Sequence, residues 1–406
     1  MNIKYEEKGV CAPKGFKAAG IHVGFRKNKK KRDLALIVSD CMCQVAAVYT
    51  KNKVKSAPYL VNREHLKDGK AVAVICNSGN ANTCAPNGLE IANATCRLTA
   101  GALGIEEKDV IVCSTGVIGE PMCIEPFETG IPKVVKKLTY NGSEAAAHAI
   151  MTTDTHVKET AISFTIGSKK CHMGAIAKGS GMINPNMATM LCFITTDVQI
   201  SSAMLQKALD ADILDSFNQI SIDGDTSTND TVAVLANGLA GNKAIAEDGE
   251  DFRKFCQALR TVSTQICRGI AKDGEGASKL IECIVSGASD KNAARKVSKS
   301  VIRSELVKTA MFGEDANWGR VLCAVGYAEA EFNVDNVDIA LASAGGELRV
   351  CTCSTAKDFD EELAKKVLAE DEIKILVNLN QGDAEAIAYG CDLTYDYVRI
   401  NGRYRT

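Results

Sequence analysis

One threonine stands where a loop changes into an apolar run, and its position suggests a nucleophile. The segment Lys178–Asp197 begins with a Gly-rich stretch that contains one proline and continues as a buried-looking strand, so that Thr189 falls at the junction. If the loop strains the peptide bond after Ala188, the Thr189 hydroxyl can attack that carbonyl and form an ester that water opens. The new terminal α-amine, with an unperturbed pKa of about 7.7–8.0, could then serve as the base. The simpler alternative is a threonine that merely begins a strand.

Other segments that are rich in Gly, Asn, Ser, Thr and Asp lie next to buried-looking strands, and loops at strand ends are where binding groups usually lie. Ser114–Gly119 could present backbone N–H groups to an oxyanion, but it lacks both phosphate-binding glycine patterns, and by itself it favours a tight turn. In Asp223–Asp230, Thr228 and Val234 stand where a calcium loop needs Gly and Glu, so a polar turn between strands is predicted. Further segments of this kind are Asn77–Asn82, Thr152–Thr155 and Lys178–Gly181.

The elements that must position these loops are predicted by apolar patterning. Apolar residues at steps of three and four predict helices over Phe252–Ile266 and Glu361–Glu370. Alternation through Ile162–Ile166, followed by Gly167 and Ser168, predicts a β-hairpin. Apolar runs predict strands at Val72–Cys76, Val110–Cys113, Leu191–Ile194, Thr231–Leu235, Leu280–Val285 and Ile373–Val377. This mixture indicates an α+β protein.

The composition excludes several classes of protein. The chain has 406 residues, with 48 basic and 50 acidic side chains, and this balance argues against a nucleic-acid binder. No run approaches the roughly 20 apolar residues of a membrane helix. Met1–Gly9 is polar and unlike a secretory signal, so a cytoplasmic location is expected. The charge run Arg26–Arg32 is interpreted as a solvated loop, because no aromatic residues interleave with it.

The chain also contains 17 cysteines, which could suggest disulfides or a metal site. The close pairs, Cys41 with Cys43 and Cys351 with Cys353, lack the two-residue spacing that directs thiolates to one zinc ion. We interpret the cysteines as small buried hydrophobic residues in a reducing compartment, and we expect no metal.

Motifs along essentially the whole chain resemble the glutamate N-acetyltransferase family of arginine biosynthesis, also called ornithine acetyltransferase. In that family, self-cleavage falls between Ala and Thr, as at Ala188 and Thr189 here. Beside Lys178–Asp197, the matching segments are Gly15–Gly20, Asn77–Asn82, Ser114–Gly119, Thr152–Thr155, Asp223–Thr231, Gly313–Arg320, Gly390–Thr394 and Tyr397–Thr406. Their occurrence in the family's order makes a chance match very improbable.

The resemblance implies a role for particular residues. Thr189 would take the acetyl group from N2-acetylornithine, release ornithine and pass the acetyl group to glutamate by ping-pong kinetics. Thr115 and Gly116 would form the oxyanion hole. Without the resemblance, Glu275 would be interpreted as a solvated acid in a turn, and the chain end as a frayed terminus. The implied substrate contacts are Thr152, Lys178, Thr189, Glu275, Asn401 and Thr406.

The resemblance also implies an architecture. The expected fold is a layered α/β/β/α sandwich of the ornithine acetyltransferase type, cut into an α chain of residues 1–188 and a β chain of residues 189–406. Two copies of each would assemble as α2β2. No cofactor is implied, and the resemblance leaves open whether acetyl-CoA also serves as an acetyl donor.

Two alternatives to the transferase stay open at this point. A threonine-nucleophile amidase or aminopeptidase of similar architecture would hand its acyl group to water rather than to glutamate. A non-catalytic protein could use the same Gly-rich loops to hold a small anion.

Overall fold

The computed structural model describes residues 2–184 and 190–403. The strands of this part of the chain are β1 (Lys4–Glu6), β2 (Phe16–Ile21), β3 (Leu34–Tyr49), β4 (Lys70–Asn80), β5 (Val110–Val117), β6 (Lys158–Ile166), β7 (Lys169–Lys178), β8 (Leu191–Thr196), β9 (Ile220–Ser221), β10 (Thr231–Ala236), β11 (Leu280–Ala288), β12 (Asp338–Ser343), β13 (Gly346–Thr352), β14 (Thr355–Ala356), β15 (Glu372–Asn378) and β16 (Ala384–Cys391). All six predicted strands are confirmed.

The α-helices of the described residues are α1 (Ala57–His65), α2 (Gly88–Leu103), α3 (Glu125–Val135), α4 (Ser143–Ile150), α5 (Ser202–Ile213), α6 (Glu250–Lys272), α7 (Lys291–Arg303), α8 (Glu305–Phe312), α9 (Trp318–Gly326), α10 (Glu361–Leu368) and α11 (Tyr395–Asn401). The two predicted helices correspond to α6 and α10. The predicted hairpin is formed by β6 and β7, which pair antiparallel around Gly167 and Ser168.

The described chain forms two compact units, and each contains one sheet. The first unit consists of residues 2–179, 190–213 and 226–266, and the second of residues 180–184, 214–225 and 267–403. Each unit therefore takes residues from both sides of the predicted cleavage site. The units are defined by packing, whereas the predicted chains are defined by cleavage. The units therefore do not test the two predicted chains, 1–188 and 189–406, which stay a prediction.

The nine-stranded sheet of the first unit is mixed and has helices on both faces. Its order is β1-β6-β7-β8-β10-β3-β4-β5, with β2 paired to β3. Alternate residues of a strand point to opposite faces. Ile75 accordingly packs in a cluster with residues of α1, α2 and α3, whereas Val74 and Cys76 pack in a cluster with residues of α4. The parallel strands β8 and β10 are buried along their whole length, as expected for strands covered on both faces.

The seven-stranded sheet of the second unit has the order β14-β13-β12-β15-β11-β16-β9. Ile373, Ile375 and Val377 of β15 pack in one core cluster with residues of α7, α8, α9 and α10. The residue between the first two, Lys374, is exposed, so β15 has the alternation of a strand that is buried on one face. Because both units combine a sheet with helices, the predicted α+β class with two sheets is confirmed.

Other expectations from the sequence can now be compared with the structure. Residues 222–230 form the predicted loop between β9 and β10. All 17 cysteines are free thiols; most are buried as expected, but Cys84, Cys123, Cys323 and Cys353 are exposed. Within the described ranges, no helix combines the length and apolarity needed to cross a membrane.

Candidate active site

The predicted oxyanion residues lie at the end of β5, where it runs beside β4. The two strands pair in parallel, and Gly79 lies opposite Gly116 where the register shifts. A Cβ atom at Gly116 would stand 2.6 Å from the backbone nitrogen of Asn80, and the φ of Gly116 is 137°. Only glycine permits this approach and this backbone conformation. Thr115 is buried beside it, with 8% of its surface exposed.

Asn229 holds this loop in place, and the sequence did not single it out as a site residue. Its Nδ2 donates hydrogen bonds to the carbonyl of Ser114 at 2.8 Å and to that of Ala81 at 2.5 Å. Thr83 Oγ1 donates to Asn229 Oδ1 at 2.8 Å. Ser114 Oγ in turn donates to Asn77 Oδ1 at 2.6 Å. The loops predicted separately from the sequence are thus joined into one hydrogen-bonded group.

Thr152 and Lys178 are connected through Asp154, whose side chain is fully buried. Asp154 Oδ2 accepts hydrogen bonds from the backbone nitrogen of Thr152 at 2.8 Å and from its Oγ1 at 3.4 Å. Oδ1 accepts from Lys158 Nζ at 2.6 Å and from Gly179 N at 2.8 Å. Burial opposes ionisation, but the charges of Lys158 and Lys178 outweigh it and hold the pKa of Asp154 well below its usual range. One carboxylate therefore fixes the Thr152 loop against the end of β7.

A second buried acid, Asp230, immediately precedes β10. Burial raises the pKa of Asp230 well above its usual value, although a hydrogen bond with Ser227 and the charge of Lys178 act in the opposite direction. Among the described residues, no donor contacts its Oδ2 atom. The next residue, Thr231, donates its N–H to the carbonyl of Met190 at 2.9 Å. Asp230 thus lies beside the point where the described chain resumes after Thr189.

The chain before the predicted cleavage site is anchored by Asp223. Its Oδ2 accepts from Met182 N at 2.6 Å, and its Oδ1 accepts from Ile183 N at 2.9 Å and from Asp225 N at 3.2 Å. Asn184 Nδ2 donates to the carbonyl of Gly224 at 2.9 Å. Met182 has a φ of 57°, in the left-handed region that a non-glycine residue seldom adopts. The anchored segment therefore ends directly before the five residues that contain Ala188 and Thr189.

Glu275 and Asn401, far apart in sequence, form a direct contact in the second unit. Asn401 Nδ2 donates to Glu275 Oε2 at 2.7 Å. Glu275 is only 7% exposed, so the interpretation as a solvated acid is wrong. Asn401 is the last residue of α11, so the interpretation as a frayed terminus is wrong for this residue. A Cβ atom at Gly181 would stand 2.5 Å from Glu275 Oε1, which explains why glycine precedes the anchored segment.

Tyr397 of α11 lies near three acids of the second unit, Asp223, Asp225 and Glu275. Burial raises the pKa of its phenol, and the nearby charges of Asp223, Glu275 and Asp225 raise it further. The phenol therefore stays protonated at neutral pH and can donate a hydrogen bond. Sequence patterning gave no signal for it, because its acidic neighbours come from distant segments.

The predicted site residues are distributed over both units. Thr115, Gly116, Thr152 and Lys178 belong to the first unit, and Glu275 and Asn401 to the second. Ala188, Thr189 and Thr406 lie outside the described residues. Within ranges 2–184 and 190–403, no three His, Cys, Asp or Glu side chains are grouped so that they could hold a metal ion.

Comparisons with known proteins agree on one family. The ArgJ family model matches residues 17–406. The arginine biosynthesis bifunctional protein ArgJ of Caldanaerobacter subterraneus subsp. tengcongensis is 51% identical over 395 residues, which cover 97% of this chain and 98% of that protein. The protein of the same name from Streptococcus mutans is 49% identical, with 100% of both chains covered.

The chain belongs to the ArgJ family. The resemblance inferred from its motifs is therefore confirmed. A crystal structure of ornithine acetyltransferase from Mycobacterium tuberculosis, complexed with ornithine, is 36% identical and aligns with a TM-score of 0.43. The alignment covers 46% of this chain and 100% of that chain.

We predict that Asp154→Asn raises the KM for the amino-acid substrates by about tenfold or more, because one of the two oxygens that hold the Thr152 loop and Gly179 becomes a donor. A tenfold change corresponds to roughly 1.4 kcal/mol of binding. Asp154→Asn should also destabilise the fold by about 3–5 kcal/mol, since a buried ion pair is broken. The matched control is Asp212→Asn, which breaks the ion pair between the buried Asp212 and the partly exposed Arg260 (2.6 Å) elsewhere in the same unit. The KM values are measured by steady-state kinetics at a temperature where both variants are folded. An equal change of KM in the two variants would contradict the role assigned to Asp154.

Asp230 should make folding stability depend on pH. Below about pH 3.9 the acid is protonated in both states. As pH rises, the unfolded state ionises while the buried acid stays protonated, so the free energy of unfolding falls by up to about 1.4 kcal/mol per pH unit. Asp230→Asn should remove this fall. The free energy of unfolding is measured by urea denaturation between pH 4 and pH 7, in a Thr189→Ala background that keeps one chain. The prediction is refuted if the free energy of unfolding depends on pH in the same way with and without Asp230→Asn.

The Asp223 anchor should matter for the predicted self-cleavage. Asp223→Asn replaces one acceptor oxygen by a donor, and we expect the two fragments to appear at least tenfold more slowly. Asp225→Asn is the control, because Asp225 is an exposed neighbour. Fragment formation is followed by intact mass spectrometry after expression, and equal rates in the two variants would show that the anchor has no part in cleavage.

Proposed function

We propose that this protein is a self-processing acetyltransferase that moves an acetyl group from N2-acetylornithine to glutamate. The observation that carries the proposal is the family match over nearly the full length of the chain. The relatives, which are named for arginine biosynthesis, are 49–51% identical to it. The predicted enzyme class, an acetyltransferase of arginine biosynthesis, is confirmed by this membership. The individual residue roles below are our assignments.

In the proposed first half-reaction, the Thr189 hydroxyl attacks the acetyl carbonyl of acetylornithine while the α-amine of the same residue takes the proton. The tetrahedral oxyanion is held by the Thr115 hydroxyl and the Gly116 N–H, and each donor is worth roughly 2.7–4 kcal/mol in the transition state. Collapse breaks the amide bond, the proton passes to the leaving amine, and ornithine departs. Acetyl-Thr189 remains.

In the second half-reaction, the α-amino group of glutamate attacks acetyl-Thr189 and its proton returns to the threonine oxygen, which gives N-acetylglutamate. Glutamate must compete with water, so a site that excludes water favours transfer over hydrolysis. Hydrogen bonds that fix the polar groups of the proposed site support this requirement. The Asp154 carboxylate fixes Thr152, and the contact between Asn401 and Glu275 orders the second set of polar groups.

The substrate contacts are assigned by charge. Lys178 suits a substrate carboxylate, and Glu275 suits a substrate ammonium. Thr152 and Asn401 supply hydroxyl and amide groups, and Thr406 is assigned to the same set from the resemblance. The buried position of Glu275 supports its role, because a carboxylate held beside Asn401 is a fixed partner rather than a mobile surface acid.

The proposal includes a processed assembly. Cleavage between Ala188 and Thr189 gives chains 1–188 and 189–406, which would associate as an α2β2 heterotetramer. No cofactor is required for the two half-reactions. The word bifunctional in the relatives' names supports a second activity, which we assign to acetyl-CoA and glutamate as substrates. A cytoplasmic location is supported by the free thiols, since reducing compartments keep cysteines in that form.

A coupled assay tests the proposal. Wild-type protein should convert acetylornithine and glutamate into ornithine and acetylglutamate in equal amounts, and purified protein should consist of two chains. Thr189→Ala should abolish both cleavage and transfer, by at least a thousandfold, because the nucleophile is lost. Thr165→Ala, at an exposed position of β6, is the control and should change neither.

Each alternative gives a different result in the same assay. An amidase would consume acetylornithine without forming acetylglutamate when glutamate is present. A binding protein would remain one uncut chain and transfer nothing. Transfer that survives Thr189→Ala would contradict the proposed nucleophile.

A further inference from the structure

The polar segment Thr226–Asp230 does more than connect β9 to β10. In the order of the first sheet, β3 and β4 separate β10 from β5, so pairing of strands does not bring Asn229 to the predicted oxyanion residues. The side chain of Asn229 nevertheless reaches the carbonyls of Ser114 and Ala81. The segment therefore makes a connection that the sheet by itself does not make.

The contact with Ser114 acts on the peptide group that directly precedes the predicted oxyanion donors. The carbonyl of Ser114 and the N–H of Thr115 belong to one planar peptide group. A hydrogen bond from Asn229 Nδ2 at 2.8 Å fixes the orientation of that plane, and with it the direction in which the chain enters Thr115. Because Gly116 follows immediately, a rotation of this plane would move both the Thr115 hydroxyl and the Gly116 N–H.

Pairing with β4 becomes irregular at the predicted donors. The register between the two strands is regular from Ala73 to Gly79 and then shifts at Asn80, which lies opposite both Thr115 and Val117. Buried carbonyl groups need hydrogen-bond partners, and the amide of a side chain from outside this strand pair supplies one at the buried residue before Thr115. The position of the two donors thus depends on that side chain as well as on the sheet.

Asn229 is itself held in one orientation by two hydroxyl groups. Thr83 Oγ1 donates to Asn229 Oδ1 at 2.8 Å, and Thr228 Oγ1 donates to the same oxygen at 2.5 Å. Both threonines are buried. Because Oδ1 accepts from the two hydroxyl groups, the Nδ2 group must face the two carbonyls. The donor to Ser114 is therefore fixed before any substrate binds.

The same part of the chain also binds the residue that follows the predicted nucleophile. Thr231, two residues after Asn229, donates its N–H to the carbonyl of Met190 at 2.9 Å. The segment is anchored to the chain after β3 as well, since Thr50 Oγ1 donates to the carbonyl of Ser227 at 2.7 Å. One short stretch thus contacts both the residue after the predicted nucleophile and the strand that carries the predicted oxyanion donors.

We propose that Asn229 is a positioning residue for acetyl transfer, which sets the place of the oxyanion donors relative to the nucleophile. The inference rests on the proposed function, because it concerns the same two half-reactions. Each half-reaction forms an oxyanion on the same acetyl group, so displaced donors slow both of them by a similar factor. Asn229 contacts no substrate in this role and acts through the Ser114 carbonyl.

The contact also spans the predicted cleavage site. Asn229 belongs to the predicted chain 189–406, whereas Ser114, Ala81 and Thr83 belong to the predicted chain 1–188. The oxyanion donors of one chain are thus fixed by a side chain of the other. Correct geometry at the donors therefore requires the two chains to stay associated after cleavage.

The test measures steady-state transfer from acetylornithine to glutamate with the processed enzyme. Asn229→Asp keeps an acceptor for Thr83 and Thr228 but removes the donor to Ser114, and we expect kcat to fall by about tenfold or more, because small displacements of catalytic groups have effects of that size. Since the two half-reactions slow together, the KM values for both substrates should stay within about twofold of wild type.

A second variant excludes an effect of the new charge. Thr83→Val keeps the branched shape and adds no charge, but it removes one of the two donors that orient Asn229. It should lower kcat by about threefold or more, again with little change in KM, because one neutral hydrogen bond is lost.

The matched control is Asn242→Asp. The Asn242 amide donates to the carbonyls of Gln199 at 3.1 Å and Lys243 at 2.8 Å in the same unit. Gln199 follows the end of β8, whereas Thr189 precedes its beginning. Urea denaturation should show a loss of stability in both aspartate variants, but kcat should fall only in Asn229→Asp.

Rates are expressed per cut chain, counted by intact mass spectrometry. The proposal is overturned if Asn229→Asp leaves kcat unchanged, if it changes KM instead, or if Thr83→Val transfers at the wild-type rate. It is also overturned if both variants stay uncut while Asn242→Asp is cut, since the contact would then serve cleavage rather than transfer. Absence of acetylornithine transfer in wild type would instead defeat the proposed function.

Discussion

The loops of this protein depend on one repeated interaction, the capture of backbone N–H groups by acids that are buried or nearly so. A buried carboxylate must be compensated, and a loop can supply part of the compensation by turning its peptide groups inward. Asp154 binds Thr152 and Gly179 in this way, and Asp33 binds residues 23, 24 and 26. Asp223 binds Met182, Ile183 and Asp225. Asp392 does the same for residues 278 and 279. Each acid gives an irregular segment a fixed shape without strands or helices.

This arrangement separates the acids that build loops from the groups that remain for ligands. Asp154 uses both oxygens on the protein, so its charge is not available to a substrate. Glu275 has Asn401 on Oε2, and a carboxylate accepts several hydrogen bonds, so it can still face an ammonium. Asp230 is the exception, because its Oδ2 has no donor within the described residues. Burial raises the pKa of Asp230, and the charges of Lys178 and Lys55 only partly oppose this shift.

The sequence predicted the elements well, because apolar runs and alternation report burial directly. Val74 and Ile75 pack in two different cores, and an unbroken apolar run such as residues 71–76 is typical of a strand that is buried on both faces. Thr115 and Gly116 were found through the resemblance, and Gly116 proves to need glycine for packing against Gly79 and Asn80. Asp154, Asp223 and Asn229 were missed as site residues, because their partners are backbone groups and such hydrogen bonds leave no pattern of side-chain types.

Glu275 was misjudged for a related reason, namely that a charged residue in a sequence does not reveal what surrounds it in the fold. The Gly and Asp residues around Glu275 predict an exposed acid in a turn. In the structure, Asn401, which is 126 residues away, donates a hydrogen bond to Glu275. The run Arg26–Arg32 was predicted to be a solvated loop, and residues 27–32 are indeed exposed, while the Asp33 carboxylate accepts hydrogen bonds from the backbone nitrogens of residues 23, 24 and 26. At Glu275, one long-range partner thus converts a sequence pattern typical of the surface into a buried, fixed group.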